Sequence, residues 1–139
     1  MKRQRVVTVL FVTYCLFLLW LTIFSRQPRM GERVFKWQLL WSYRAWIAGE
    51  PYGKSESIQN INNILAFVPF GLFFPKKNTI GVAIIVALVF SSAIEIVQFV
   101  VNLGWCEIDD VICNTLGTVL GWLLWIGIKR MREKVNAKT

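Results

Sequence analysis

From Ile80 to Val101 the chain carries one ionisable residue, Glu95. A run this long and apolar crosses a bilayer as a helix. About 20 residues rising 1.5 Å each span a hydrocarbon core of about 30 Å, and a helix satisfies its own backbone there. At 100° per residue, Ser91, Glu95, Gln98 and Asn102 fall within roughly 60° of one another. A polar stripe therefore descends one face of a greasy helix. A carboxylate in hydrocarbon costs about 2.5–3.5 kcal/mol on insertion scales, so the rest of the chain must supply partners for Glu95.

Other segments repeat the pattern. Val6–Phe24 is free of charge and follows Lys2, Arg3 and Arg5. Phe24-Ser25-Arg26 offers no small-x-small cleavage site, so this run reads as a retained first span rather than a signal peptide. Ile58–Phe74 reads as a short second span closed by Pro75, Lys76 and Lys77. Asn60 and Asn63 share its face with Phe67, Gly71 and Phe74, and Asn62 lies in the same turns. Pro69 removes a backbone bond and bends this helix, while Gly71 admits a close neighbour. The third span runs over 79–101, with Ala83, Ala87 and Ser91 as a small-residue seam. The fourth runs over 110–128, with Gly117 and Gly121 as a second seam. Asp109 or Asp110 is expected to cap it. Between the first two spans, Val34–Ile47 mixes Trp37, Trp41, Tyr43 and Trp46 with Lys36 and Arg44, a composition suited to the headgroup layer. The expected fold is all-α: one domain over 1–139, a four-transmembrane-helix bundle with an interfacial aromatic helix between the first two spans.

The 55% hydrophobic content and a mean hydropathy of +0.50 agree with the membrane class. The +8 net charge, from 16 basic and 8 acidic residues, sits mostly beside apolar runs. Loop charge asymmetry and anionic lipid explain it better than nucleic acid, which is not an expected partner. The chain has no histidine, which excludes His-based triads and His metal ligands. Cys15 reads as a small buried hydrophobe, and a Cys106–Cys113 disulfide is the minor alternative to free thiols. Basic residues at the N-terminus, at Lys76 and Lys77, and in the tail place both termini in the cytoplasm. The first loop, with more bases than acids, runs against that rule.

In this orientation Glu95 lies roughly 9 Å, and Gln98 roughly 5 Å, below the outer end of its helix. Asn60 and Asn63 begin the second span, and Asp110 and Asn114 begin the fourth. Three helices thus bring polar groups to one outer-leaflet level, on the faces that carry the small-residue seams. The cluster either closes on itself and holds the helices together, or opens outward onto a headgroup, a cation or a proton.

Three blocks, Asn63-Ile-Leu-Ala-Phe-Val-Pro-Phe-Gly71, Ser92-Ala-Ile-Glu95-Ile-Val-Gln98 and Asp109-Asp110-Val-Ile-Cys-Asn114-Thr-Leu-Gly117, stand in this order within Asn60–Trp125. Together they resemble the VanZ-like family of bacterial membrane proteins. The family's name member is associated with resistance to the glycopeptide teicoplanin. The resemblance implies that Asn63, Pro69, Gly71, Glu95, Gln98, Asp110, Asn114 and Gly117 matter. Many relatives carry an arginine shortly before the paired acids. Here Asn102-Leu-Gly-Trp-Cys-Glu107 holds no base, which leaves Arg26, Arg29, Arg33, Arg44 or Lys54 of the first loop as substitutes.

The expectation is a non-enzymatic protein of the bacterial cytoplasmic membrane. Its site, Asn60, Asn63, Ser91, Glu95, Gln98, Asp109, Asp110 and Asn114, faces outward and binds a lipid headgroup, a lipid-linked cell-wall precursor or a lipoglycopeptide, lowering susceptibility to teicoplanin-type antibiotics. Pro69, Gly71, Gly117 and Gly121 are structural. No cofactor or metal is expected. Two alternatives remain. One is a membrane-embedded enzyme on lipid-linked phosphates, in which Glu95, Asp109 and Asp110 hold a divalent cation and Glu95 and Asp110 are the catalytic candidates. The other is a proton-linked carrier relayed by Glu95, which calls for an oligomer.

Overall fold

A computed structural model of the chain describes residues 2–24, 33–74 and 79–137. The elements in order are α1 (Lys2–Phe24), β1 (Phe35–Lys36), α2 (Trp41–Ile47), α3 (Gly53–Leu72), α4 (Ile80–Val100), β2 (Cys106–Glu107) and α5 (Ile108–Asn136). Pro75, Lys76 and Lys77, expected to close the second span, lie outside the described residues, as do Arg26, Arg29 and Lys138.

Among the described residues the chain is all-α apart from the two-residue strands, and three helices are long and apolar enough to cross a membrane: Gln4–Ile23 within α1, Ile80–Val100 and Ile108–Asn136. The expected second span corresponds to α3, which begins earlier, at Gly53, and so includes Lys54 and Glu56. The fourth extends well past Ile128, carrying Lys129, Arg130 and Arg132 on its last turns. The aromatic segment forms a helix over only seven residues, α2.

Contacts fix the helix directions. Gly117 approaches the Ile64 carbonyl, Gly121 the Val68 carbonyl, and Gly71 the Thr118 carbonyl and Trp122 amide. Both sequences ascend together, so α3 and α5 run parallel. A Cβ at any of these three glycines would overlap backbone atoms of the facing helix. The absent side chains let the two backbones meet directly. Ser91 meets Asn114 and Glu95 meets Glu107, so positions rise along α4 as they fall toward the start of α5, and the two helices are antiparallel. Phe11 packs on Phe70, Phe73 and Phe74, and the Tyr14 hydroxyl donates to the Ala66 carbonyl. That order makes α1 antiparallel to α3. Tyr14 thereby bonds α3 in the turn that Pro69 deprives of an amide donor.

The interior is unusual for a soluble protein. Ala83, Ala87 and Ser91 are fully buried, as the small-residue seam requires, and Leu18, Phe67, Phe70, Ala87 and Ile94 form the apolar core. Cys15 packs against that core, and all three cysteines are free thiols. Meanwhile Val9, Leu16, Ile85, Val89 and Leu124 face outward while a dozen polar or charged residues are buried. Apolar outside and polar inside is the arrangement a hydrocarbon solvent imposes. There, tight packing and interhelical hydrogen bonds hold helices together, since lipid is as apolar as leucine.

The end of α4 corrects one detail of the polar stripe. Asn102 takes a left-handed conformation (φ 57°). The Leu103 amide bonds the Gln98 carbonyl at 2.9 Å and the Asn102 amide bonds the Phe99 carbonyl at 3.4 Å. This is a Schellman termination, with asparagine where glycine is commonest. Asn102 ends the helix rather than extending its polar face.

Candidate functional site

The turn that Asn102 initiates sends the chain back across the end of α4. β2 then pairs in parallel with β1, with Phe35 opposite Cys106 and Lys36 opposite Glu107. This return places the Glu107 amide on Glu95, whose Oε2 accepts it at 3.0 Å. Glu107, and not Asp109 or Asp110, stands at the N-cap of α5, and its side chain makes no capping bond. Asp109 and Asp110 occupy the first turn instead. There the unpaired amides of a helix N-terminus favour negative charge, and both side chains are turned to neighbouring segments. Asp109 Oδ1 accepts the Leu40 amide at 2.9 Å. Asp110 Oδ2 faces Gln59 Nε2 of α3 at 3.5 Å.

One turn inward, Asn114 Nδ2 donates to Ser91 Oγ at 2.7 Å. Asn60 Nδ2 donates to Ser42 Oγ of α2 at 3.1 Å. Gln98 turns the other way, its Nε2 donating to the Thr22 carbonyl of α1 at 2.9 Å. The amides and acids of α3, α4 and α5 thus meet at one end of the molecule, as the depth argument predicts. Asn63 is half-buried and Asn62 exposed. Asn60, Ser91, Glu95, Gln98, Asp109, Asp110 and Asn114 are each at most 3% exposed. The cluster is roofed by α2 and the β1–β2 pair rather than lying open.

Five buried residues escape sequence reasoning: Trp41, Ser42, Glu56, Ser57 and Glu107. With Glu56 and Glu107 included, five of the seven acidic residues among those described are buried at this end. Glu56 was legible, because it lies one turn before Asn60 on the face that Asn63 and Phe67 continue. Trp41 and Glu107 were not, since their pairing depends on the strand contact. Trp41 Nε1 donates to Glu107 Oε2 at 2.7 Å. Above it Lys36 Nζ lies 4.3 Å from the Trp41 ring centroid and 4.7 Å from that of Trp105. The aromatic segment expected at the headgroup layer is therefore partly internal, with Trp41, Ser42 and Ala45 buried and Trp37, Trp46 and Ile47 exposed.

The loop bases take other partners. Arg33 donates to the Val100 carbonyl at 3.2 Å and lies over Phe99, and Arg44 donates to the Leu39 carbonyl. Three buried oxygens, Gln98 Oε1, Asp109 Oδ2 and Asn114 Oδ1, have no hydrogen-bond partner among the described residues. All three are acceptors. A group that completes this end of the molecule must therefore donate hydrogen bonds or carry positive charge. Among the described residues, no three acidic or thiol side chains converge as a metal-ligand group.

Cys106 reports on the local field. Its thiol is pushed from 9.0 up to about 11, first by burial and then by the charges of Glu95, Asp110 and Glu107. In a Cys15→Ser, Cys113→Ser background at pH 8, about one Cys106 in 1,000 should be thiolate, against about one in ten for an ordinary thiol here. Maleimide labelling should be correspondingly slow and should rise about tenfold per pH unit toward pH 10. Glu95→Gln should speed it. Labelling as fast as an unfolded control would contradict the arrangement. The linkage has a definite sign. With the folded value above the unfolded one, this thiol's contribution is intact below pH 9 and is lost as pH rises toward about 11.

A family model described as VanZ/LLP1 matches residues 11–130. Protein VanZ of Enterococcus faecium is 30% identical over 137 residues, an alignment covering 90% of this chain and 77% of that protein. No solved structure matches.

Proposed function

The chain belongs to the VanZ/LLP1 family, and on that basis we propose that it is a multi-pass protein of the bacterial cytoplasmic membrane whose acidic and amide cluster engages a lipid headgroup, a lipid-linked cell-wall precursor or a lipoglycopeptide. In this reading α3 also crosses the membrane, as the second of four spans. Its parallel, glycine-mediated register with α5 supports that assignment, because a helix held backbone to backbone beside a spanning helix shares its depth. Both termini are then cytoplasmic with the basic tail, in keeping with the positive-inside rule. The acidic end faces outward, at the level where a headgroup or a drug arrives.

The observation that carries the reading is the set of buried acceptors without donors, beside carboxylates that are costly to desolvate. Helix packing alone does not call for them. A donor-bearing polar ligand completes them, and the exposed aromatics of the α2 region suit the interface at which an amphiphile docks. Engagement of such a ligand would limit access of teicoplanin-type antibiotics to their target. An enzyme working through a carboxylate-held cation is less well supported, since the described acids point to separate partners: Glu95 to the Glu107 amide, Asp109 to Leu40, Asp110 to Gln59.

The experiment is a susceptibility assay. Cells expressing Glu95→Ala or Asn114→Ala should lose any teicoplanin protection that the wild-type chain confers, with membrane levels of the protein unchanged. Full protection in both inserted variants would count decisively against the proposal.

A further inference from the structure

The buried acids gather at one end of the molecule, and the helix directions send a set of bases to the other. With α1 antiparallel to α3 and α3 parallel to α5, the first turn of α1 and the last turns of α5 share that opposite end. The Trp122 amide lies against Gly71 in the last turn of α3, yet α5 continues to Asn136, roughly 20 Å further. Phe11 packs on Phe74, just past α3, and α1 reaches back to Lys2, roughly 13 Å beyond. Both helices therefore outrun α3. The packing opens there: a Cβ added at Gly81 in the first turn of α4, or at Gly127 of α5, would meet nothing within 4 Å. Each overhang is apolar nearer the bundle and basic at its tip. Lys2 and Arg5 end one; Lys129, Arg130, Arg132 and Lys134 end the other, all exposed. Among the described residues one acid, Glu133, lies at this end, exposed and 3.8 Å from Lys129.

We propose that the tail of α5 binds an anionic phospholipid, with Arg132 and Lys134 on its phosphate and its acyl chains along the exposed apolar turns before them. The site is separate from the acidic cluster, and its failure would leave the reading of that cluster untouched. At 100° per residue Leu124, Ile128, Met131 and Val135 fall on one stripe about 60° wide. Each of them is exposed, Met131 at 62% and Val135 at 66%. Arg132 and Lys134 stand next to this stripe, one on either side, so their stems lie along apolar surface while their heads reach a phosphate. Lys129, Arg130 and Glu133 point away from it. The exposed Lys129–Glu133 pair is solvent-screened and holds little. Charge selects the occupant. A headgroup with net negative charge gains from this end of the molecule, to which Lys2 and Arg5 also contribute, and a zwitterionic one does not.

The test uses the full chain in a neutral detergent, where orientation in a membrane plays no part, with retained lipid counted by native mass spectrometry. Equimolar phosphatidylglycerol and phosphatidylcholine with the same acyl chains are offered. Wild type should retain the anionic lipid over the zwitterionic one by about fivefold or more. That preference should shrink as ammonium acetate rises from about 50 to about 500 mM. Arg132→Gln with Lys134→Gln should bring the ratio close to unity, with phosphatidylcholine retention and the lipid-free unfolding midpoint as in wild type. Lys129→Gln with Arg130→Gln removes the same charge from the far side of the helix and should keep at least half of the preference. A large excess of free glycerol 3-phosphate should displace no lipid. Equal retention of the two lipids by wild type, or a preference that survives Arg132→Gln with Lys134→Gln, would overturn the inference. Equal losses in the two double variants would also overturn it, since they would show attraction by net charge without a site. Displacement by glycerol 3-phosphate would do the same, by assigning the bases to a soluble phosphate.

Discussion

Gly121→Val should destabilise the protein by about 3 kcal/mol or more, the upper range for overpacking a fitted interface. The new Cβ would overlap the Val68 carbonyl, with the Gly71 Cα also close. These are backbone atoms of a helix and cannot turn aside as a side chain can. α3 and α5 must separate, and the polar end they share must separate with them. A fall in the apparent unfolding midpoint of about 10 °C, with loss of monodisperse protein, is the expected result. Gly127→Val is the matched control, since the same helix leaves open space there. Equal midpoints for the two variants would contradict the close α3–α5 packing.

Trp41→Ala should cost about 3–5 kcal/mol, the usual range for removing a buried aromatic side chain. It removes the donor to Glu107, half the aromatic clasp on Lys36, and the anchor of α2. Trp41→Phe keeps the ring and loses only the indole N–H. Leaving a buried carboxylate oxygen short of that donor should cost about 1–3 kcal/mol. The two variants therefore separate packing from hydrogen bonding. Limited proteolysis between residues 33 and 50 should accelerate in both, and more in Trp41→Ala. A Trp41→Phe protein as resistant as wild type would show that the indole–carboxylate bond does not hold the roof in place.

Where the chain reads clearly, a period of three to four residues carries the signal. Ala83, Ala87 and Ser91 announce a buried seam, Gly117 and Gly121 announce close approach, and Glu95 demands partners at its own depth. Each of those positions is buried in the structure. What periodicity cannot carry is the roof. β1 and β2 are two residues each, too short to leave an alternating pattern, and they join segments about 70 residues apart. Without that pairing, Glu107 reads as part of an acidic turn and Trp41 as one more interfacial aromatic. The capping role expected of Asp109 or Asp110 failed for a related reason. A helix start predicts where a carboxylate is welcome, but the Leu40 amide and Gln59 were nearby to claim these two. The seams are local consequences of helix geometry, whereas the closure of the cluster is a tertiary one.

We propose that the cluster around Glu95 receives a ligand and is more than a clamp between helices. Direct binding of teicoplanin and of a lipid-linked cell-wall precursor to the purified chain, compared between wild type and Glu95→Gln, tests it most directly. The substitution keeps the size of the side chain and an acceptor for the Glu107 amide, so the fold should survive and its midpoint can be checked alongside. Saturable binding of at least one of the two by wild type, weakened at least tenfold in Glu95→Gln, is the predicted result. Equal binding by the two proteins, or no saturable binding of either compound by wild type, would contradict it.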